Sequence, residues 1–271
     1  MEFIKMHGCG NDYIYFDCFK NTVDNPEELA VDLCDRHFGI GGDGIVLIMP
    51  SSQAQVRMRM FNADGSEGEM CGNAIRCVGK YAFENELVNT HTVSVETKAG
   101  IKTLELNTDE NNIVQSVRVD MGAPVFDAAK IPVAAETAFP IILDACGKLY
   151  QAYCVSMGNP HAVIFVDDVD EINVLGVGAV LERHRMFPKR ANIEFVQVVS
   201  PERIKMRVFE RGSGETLACG TGACASVVVC STLGKTRNSV TVELAGGQLQ
   251  IEYDKTVYMT GPAAYVFRGT I

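Results

Sequence analysis

The chain has 271 residues, 47% of them hydrophobic and 21% charged, with a formal net charge of −10. That length buries a large core and ordinarily divides into about two domains, and the composition is that of a globular protein. The acidic balance repels nucleic-acid phosphates and anionic membrane surfaces, so neither is an expected partner.

Strands are expected at 2–6 and 13–18, on either side of the polar turn Gly8-Cys9-Gly10-Asn11-Asp12. A helix follows over 26–37, with Asn25 as N-cap, Pro26 in the first helical position and Glu27-Glu28 at the positive end of the dipole. Strands at 45–49 and 55–61 come next, the second alternating Val56, Met58 and Met60 with Arg57 and Arg59. A helix over 72–87 then leads into strands near 91–97, 101–106 and 113–119. The stretch 120–150, punctuated by Pro124, Pro132 and Pro140, reads as a crossover, part of which can form a strand.

Beyond it the order returns: strands near 151–156 and 162–167, a helix near 170–184, strands at 193–199 and 203–209, and a helix over 220–233. Strands at 239–244, 248–253 and 256–260 close the second half. The segment 222–233 has no charged residue on any face, so a helix there has to be enclosed.

The returning order reflects a duplication. At an offset of 148 residues, Met58, Arg59, Phe61, Glu67, Cys71 and Gly72 fall on Met206, Arg207, Phe209, Glu215, Cys219 and Gly220. The same offset lays Gly10-Asn11 on Gly158-Asn159, and an offset of 147 lays Val93-Ser94-Val95-Glu96 on Val240-Thr241-Val242-Glu243. A repeat this long is a duplicated domain rather than a solenoid unit. The expected fold is α/β with mixed sheets (α+β), in two pseudo-symmetric domains, each a curved sheet wrapped around a central helix. The expected limits are 1–119 for the first half-repeat, 120–150 for a crossover belonging to the second domain, 151–262 for the second half-repeat, and 263–271 for a tail returning to the first domain.

Gly39-Ile40-Gly41-Gly42-Asp43-Gly44 matches the dinucleotide-binding pattern literally, but it follows a helix and precedes a strand, the reverse of what that site needs. It reads as a tight turn. The ten cysteines include no Cys-x-x-Cys pair, and their spacings suit neither a zinc ribbon nor a thioredoxin-like site. Cys34, Cys77 and Cys230, set among apolar neighbours, read as core residues. Cys71 and Cys219 differ: each ends a polar, Gly-rich loop and begins a predicted helix, where unpaired N–H groups can stabilise a thiolate or hold a carboxylate. The N-terminus lacks the pattern of a signal peptide and no apolar run reaches the roughly 18 residues of a membrane span, so the expected location is the cytoplasm.

Three segments carry a resemblance: Met70-Cys71-Gly72-Asn73-Ala74-Ile75-Arg76-Cys77, Gly158-Asn159-Pro160-His161, and Glu210 through Gly222. They resemble the signatures of the diaminopimelate epimerase family, and the likeness runs from Lys5-Met6-His7-Gly8 to Gly261-Pro262. The resemblance implies epimerisation of LL- to meso-diaminopimelate in lysine and cell-wall precursor biosynthesis, with no cofactor and no metal, by a homodimer. It implies that Cys71 and Cys219 are the acid/base pair working on opposite faces of the α-carbon. Asn11, Asn62, Asn159, Asn192, Glu210 and Arg211 would contact substrate, and Gly72, Asn73, Gly220 and Thr221 would offer backbone N–H groups to the α-carboxylate. His161 and Glu210 would support catalysis. Asn11 and Asn159 can equally be turn residues, and His161 a hydrogen-bonded core imidazole. Some members carry Gln where this chain has Gly44, which is given no binding role, and Phe267 stands where members with a dimer-forming Tyr have that residue.

The chemistry suits the residue types, because inversion by proton transfer needs a base on one face and an acid on the other. Three other readings stay open on the sequence: a racemase for proline or hydroxyproline, a thiol-exchange protein, and an amino-acid-binding protein without turnover.

Overall fold

The first strand, β1 (Glu2–Gly8), turns back through Cys9 and Gly10, both left-handed at φ 54° and 82°, into β2 (Asn11–Asp17). Two consecutive positive-φ residues are the geometry that lets a two-residue hairpin follow the strand twist. The computed structural model describes residues 1–271, in two compact units: Met1–Asp120 with Thr260–Ile271, and Met121–Met259.

In the first unit, α1 (Pro26–Cys34) follows β2 and precedes β3 (Gly44–Met49), β4 (Val56–Asn62) and the short β5 (Glu67–Gly68). Helix α2 (Gly72–Glu84) comes next, then β6 (Thr92–Thr97), β7 (Gly100–Thr108) and β8 (Val114–Gly122). The sheet is mixed. β2 pairs parallel with β3, and β4 parallel with β6, while β1–β2, β3–β4, β6–β7 and β7–β8 are antiparallel. β5 is a short antiparallel addition to β4.

The second unit opens with β9 (Ile141–Ala145), inside the stretch expected as crossover, and runs through β10 (Lys148–Ser156), β11 (Pro160–Phe165), α3 (Val174–Glu182), β12 (Asn192–Ser200) and β13 (Arg203–Glu210). It continues with β14 (Gly214–Thr216), α4 (Gly220–Thr232), β15 (Ser239–Leu244), β16 (Gly247–Tyr253) and β17 (Val257–Gly261). The parallel pairs recur at the same places, β11 with β12 and β13 with β15. β9 pairs antiparallel with β10, and the last strand, β18 (Ala264–Thr270), pairs antiparallel with β1. The chain's final strand thus does for the first unit what β9 does for the second.

Each sheet has a small helix on one side and a buried one on the other. Phe3, Ile14, Phe16, Ile45, Leu47 and Phe61 pack with Ala30 and Cys34 of α1. In the second unit Leu143, Ala152, Ala162, Ile164, Ile193 and Phe195 pack with Val177 and Leu181 of α3. The central helices are different. α2 touches β1, β2, β4, β6 and β7, and α4 touches β10, β11, β12, β13, β15 and β16. Five or six strands about 4.8 Å apart are wider than a helix about 10 Å across, so a sheet that touches the helix with all of them curves around it. Val227, Val228 and Val229 point in directions 100° apart and all are fully buried, which encloses α4 on every side. Each such valine contributes about 1.5–3 kcal/mol by burial. α2 is enclosed too, yet it carries Arg76, whose guanidinium reaches Gly72 O at 3.0 Å and Pro262 O at 3.1 Å with no exposure to solvent.

Several boundaries differ from the sequence expectation. Asn25 is left-handed at φ 50° and its side chain makes no capping bond, although Pro26 does open α1. That helix stops at Cys34 rather than 37, because the Asp35 carboxylate accepts from the amides of His37 and Phe38 and folds the chain into a turn. α2 ends at Glu84 rather than 87, and α3 spans only Val174–Glu182, beginning where Asn173 accepts from Gly176 N at 2.9 Å. Residues 39–43 form a turn as expected, and Gly44 opens β3. Gly41 lies at φ 79°, and a Cβ on Gly39 would strike Asp32 O and Leu33 O at 2.6 Å.

Candidate active site

Both singled-out cysteines are helix N-caps with nearly the same backbone: Cys71 at φ −124°, ψ 122° before α2, and Cys219 at φ −117°, ψ 109° before α4. Neither helix has an acidic residue in its first turn, so the partial positive charge of the amides at Gly72-Asn73 and Gly220-Thr221 is not neutralised from within. The hairpins β4–β5 and β13–β14 deliver the chain to these caps. An ion pair holds each hairpin, Arg59 Nε to Glu67 Oε1 at 2.7 Å and Arg207 Nε to Glu215 Oε1 at 2.9 Å. These are the charged identities of the repeat.

The two thiols have different company. In the first unit Cys71 Sγ donates to Asn11 Oδ1 at 3.4 Å. The Asn11 amide is fixed at its other end, Nδ2 donating to Asp43 Oδ2 at 2.6 Å, and Asp43 is in turn gripped by Arg36 at 3.0 Å. Asp12 lies between Lys5 at 2.6 Å and Arg36 at 2.7 Å. Burial would raise its carboxyl pKa, but the hydrogen bonds and charges of Arg36 and Lys5 outweigh burial and hold it below the usual range. Tyr13 is buried beside this group, with Cys71 and Asn11 as hydrogen-bonding neighbours of its hydroxyl. Burial first, then the Cys71 and Asp43 charges, push its phenol well above 10.0. Asn62, at the end of β4, turns its amide to Ser66 Oγ at 3.0 Å, and Asn73 is buried in the first turn of α2.

In the second unit Cys219 Sγ accepts from Gly222 N at 3.3 Å and lies 3.5 Å from Thr221 Oγ1. Asn159 Nδ2 donates to the same Thr221 oxygen at 3.3 Å. Asn159 Oδ1 is 2.8 Å from His161 Nε2, and His161 Nδ1 is 2.6 Å from Glu194 Oε1. Burial, then the carboxylates of Glu210 and Glu194, push the Cys219 thiol well above 9.0. Glu210 accepts a hydrogen bond from Thr216, and burial raises its own carboxyl pKa against the lowering effect of that bond and of His161. Asn192 is buried and engaged with backbone, donating to Pro160 O at 2.8 Å and accepting from Arg211 N at 2.9 Å, while the Arg211 side chain is exposed.

Thus Cys71 and Asn11, with Asn73 and Gly72 in the adjoining turn, gather in the first unit. Cys219, Asn159, His161, Glu210, Thr221 and Gly220 gather in the second. Asn192 and Arg211 meet each other beside them. Sequence reading missed Tyr13, Asp43 and Glu194. Tyr13 and Glu194 lie in apolar strand patterns, and only their burial beside a thiol or a histidine marks them. Gly44 cannot take a side chain here, because an added Cβ would meet Phe61 O at 2.2 Å and Tyr13 Cε1 at 2.7 Å. No group of three or more His, Cys, Asp and Glu side chains is placed to hold a metal ion, and no helix is long and apolar enough to cross a membrane.

A family model described as diaminopimelate epimerase matches residues 3–126 and 153–266. A protein named diaminopimelate epimerase from Acetivibrio thermocellus is 53% identical, covering 100% of this chain and 98% of its own length. One of the same name from Methanococcus maripaludis is 51% identical, covering 100% and 99%. Among solved structures, a probable proline racemase from Agrobacterium radiobacter superposes with a TM-score of 0.78 at 13% identity, covering 100% of this chain and 92% of that one. A phenazine biosynthesis protein of the PhzF family from Bacillus anthracis does so at 0.72 and 18%, covering 99% and 98%. At these identities the structural likenesses speak for the fold alone.

Proposed function

The chain belongs to the diaminopimelate epimerase family, and from that membership we propose that it interconverts LL- and meso-diaminopimelate by moving the α-proton between Cys71 and Cys219. One observation carries the reading: the two repeats end their hairpins in the same way, each placing a thiol at the N-cap of an enclosed helix. One sulfur, as thiolate, takes the α-proton from one face. The other, as thiol, delivers a proton to the opposite face, and the roles exchange for the reverse reaction. The carbanion between these steps is stabilised by the first-turn amides of Gly72-Asn73 and Gly220-Thr221 on the α-carboxylate, without pyridoxal phosphate or metal. Asn11, Asn62, Asn159, Asn192, Glu210 and Arg211 supply the polar contacts for the rest of the substrate, and His161 and Glu210 flank the chemistry at Cys219. The two units are domains from one duplication.

In this reading the enzyme serves lysine and cell-wall precursor synthesis in the cytoplasm and works as a homodimer. The apolar residues Val266 and Phe267 of the C-terminal strand, and Ile271 just after it, are about half exposed and support that last point. The test is incubation with LL-diaminopimelate in deuterated water under reducing conditions, with proline and hydroxyproline alongside. Deuterium at the α-carbon and formation of the meso isomer are expected with diaminopimelate alone or dominant. Binding without exchange, or turnover of proline instead, would overturn the reading.

A further inference from the structure

Glu194 is the third residue of β12 and has no exposure to solvent, and no carboxylate is expected there without a reason. Its Oε1 meets His161 Nδ1 at 2.6 Å, and its Oε2 is buried with no hydrogen-bond partner. A buried orphan oxygen on a carboxylate is costly, which marks the group as kept for something other than stability. The hydrogen bonds run on in a chain. His161 Nε2 meets Asn159 Oδ1 at 2.8 Å, Asn159 Nδ2 meets Thr221 Oγ1 at 3.3 Å, and Thr221 Oγ1 lies 3.5 Å from Cys219 Sγ. There is a shorter route as well. A Cβ on Gly222 would lie 2.8 Å from Glu194 Oε1 and 3.2 Å from Cys219 Sγ, so the carboxylate and the thiol both border the space left by the missing side chain of Gly222.

We propose that Glu194 is a positioning residue of the epimerisation, anchoring His161 from behind so that Asn159 and Thr221 are held against the Cys219 thiol. The contact of Glu194 Oε1 with Nδ1 fixes the orientation of the imidazole ring. The ring in turn fixes which way the Asn159 amide faces. The second consequence is electrostatic. Glu194 joins Glu210 in raising the Cys219 thiol, with the amide of Gly222 and the hydroxyl of Thr221 opposing them, and it raises the buried Cys154 of β10 too. Glu210 on β13, His161 on β11, Cys154 on β10 and Cys219 at the start of α4 are the titratable groups around it.

The inference rests on the proposed epimerase reading, and two variants of the full chain separate the parts. Glu194→Gln keeps an acceptor for His161 and removes the charge. Glu194→Leu removes both. Glu194→Gln should retain kcat/KM for diaminopimelate within a few-fold, while Glu194→Leu should lose about tenfold or more, the effect of removing a charge-assisted hydrogen bond. The rate of iodoacetamide alkylation at Cys219, followed by peptide mapping against pH, should rise at lower pH in Glu194→Gln than in the parent. A role in packing alone would not move that profile. An unchanged alkylation profile in Glu194→Gln, or full kcat/KM in Glu194→Leu, would overturn the proposal. Should Glu194→Leu not fold, the alkylation profile of Glu194→Gln decides the matter. If the parent chain fails to epimerise diaminopimelate, the epimerase reading falls, and the alkylation profile still reports whether Glu194 acts on Cys219.

Discussion

Tyr13 and His161 occupy the same position of the two repeats, 148 residues apart. Tyr13 pairs with Gly44 in the parallel β2–β3 register, and His161 pairs with Asn192 in the parallel β11–β12 register. Each follows an asparagine two residues earlier, Asn11 or Asn159, which it contacts by hydrogen bonding. The duplication therefore kept the scaffold and diversified the groups behind it. A phenol beside Gly44 neighbours Cys71 in one unit. An imidazole beside Asn192, backed by Glu194, stands near Cys219 in the other.

Replacing Tyr13 with Phe keeps the ring against Gly44 and removes only the hydroxyl. Loss of one hydrogen bond of about 1 kcal/mol corresponds to roughly a fivefold change. We expect kcat to fall by about that factor, with thermal stability nearly unchanged. Steady-state kinetics beside a melting curve checks this, and an unaltered kcat would show that the phenol has no part in supporting Cys71.

Cys71→Ala and Cys219→Ala should each lower epimerisation by about 10²- to 10⁴-fold or more, since one face loses its proton-transfer group. The double variant should be scarcely worse than either single one, because groups that act as a unit are non-additive. Each single variant should still exchange the α-proton of one stereoisomer slowly into deuterated water, and the two should prefer opposite isomers. Either variant turning over near the parent rate would end the two-base assignment.

Gly222→Ala places a methyl group 2.8 Å from Glu194 Oε1 and 3.2 Å from Cys219 Sγ. Both neighbours must shift, at a cost of about 1–3 kcal/mol in stability. Activity should fall further than stability, because the displaced sulfur is the reacting atom of the proposed mechanism. Denaturant unfolding measured together with kcat would test this, and an active variant of parental stability would contradict the packing described.

Stability should decline in alkali. Burial pushes the thiols of Cys34 and Cys77 up to about 11 and those of Cys154 and Cys230 up to about 12, against an ordinary 9.0. The unfolded chain releases these protons near pH 9 while the folded chain keeps them. Their contribution to stability is therefore complete below pH 9 and is lost as pH rises from 9 towards 11–12. Melting temperature under reducing conditions should be level from pH 7 to 8.5 and fall beyond 9, less steeply in Cys154→Ala/Cys230→Ala. A level curve to pH 11 would show that these thiols are not buried as described.

The duplication, the order of most of its strands and helices, the enclosure of α4 and the two candidate cysteines all follow from the sequence. Each rests on local information: identity at a fixed offset, period-2 and period-3.6 patterning, and Gly-rich loops before a helix. Asn25 shows the limit of such information, since a good capping residue was drawn into a left-handed turn by its surroundings. Short pairings such as β5 and β14 were not legible either, because two or three residues carry no periodicity of their own.

Only tertiary structure decided what stands behind each thiol. Tyr13 looks like one more aromatic in an apolar strand, and Glu194 like a polar position in another, until the tertiary fold sets Tyr13 beside Cys71 and Glu194 beside His161. The sequence reports a residue's chemistry and its period. Which oxygen lies 2.6 Å from an imidazole nitrogen depends on strands brought together across 33 residues, and on a glycine that leaves room between a carboxylate and a sulfur.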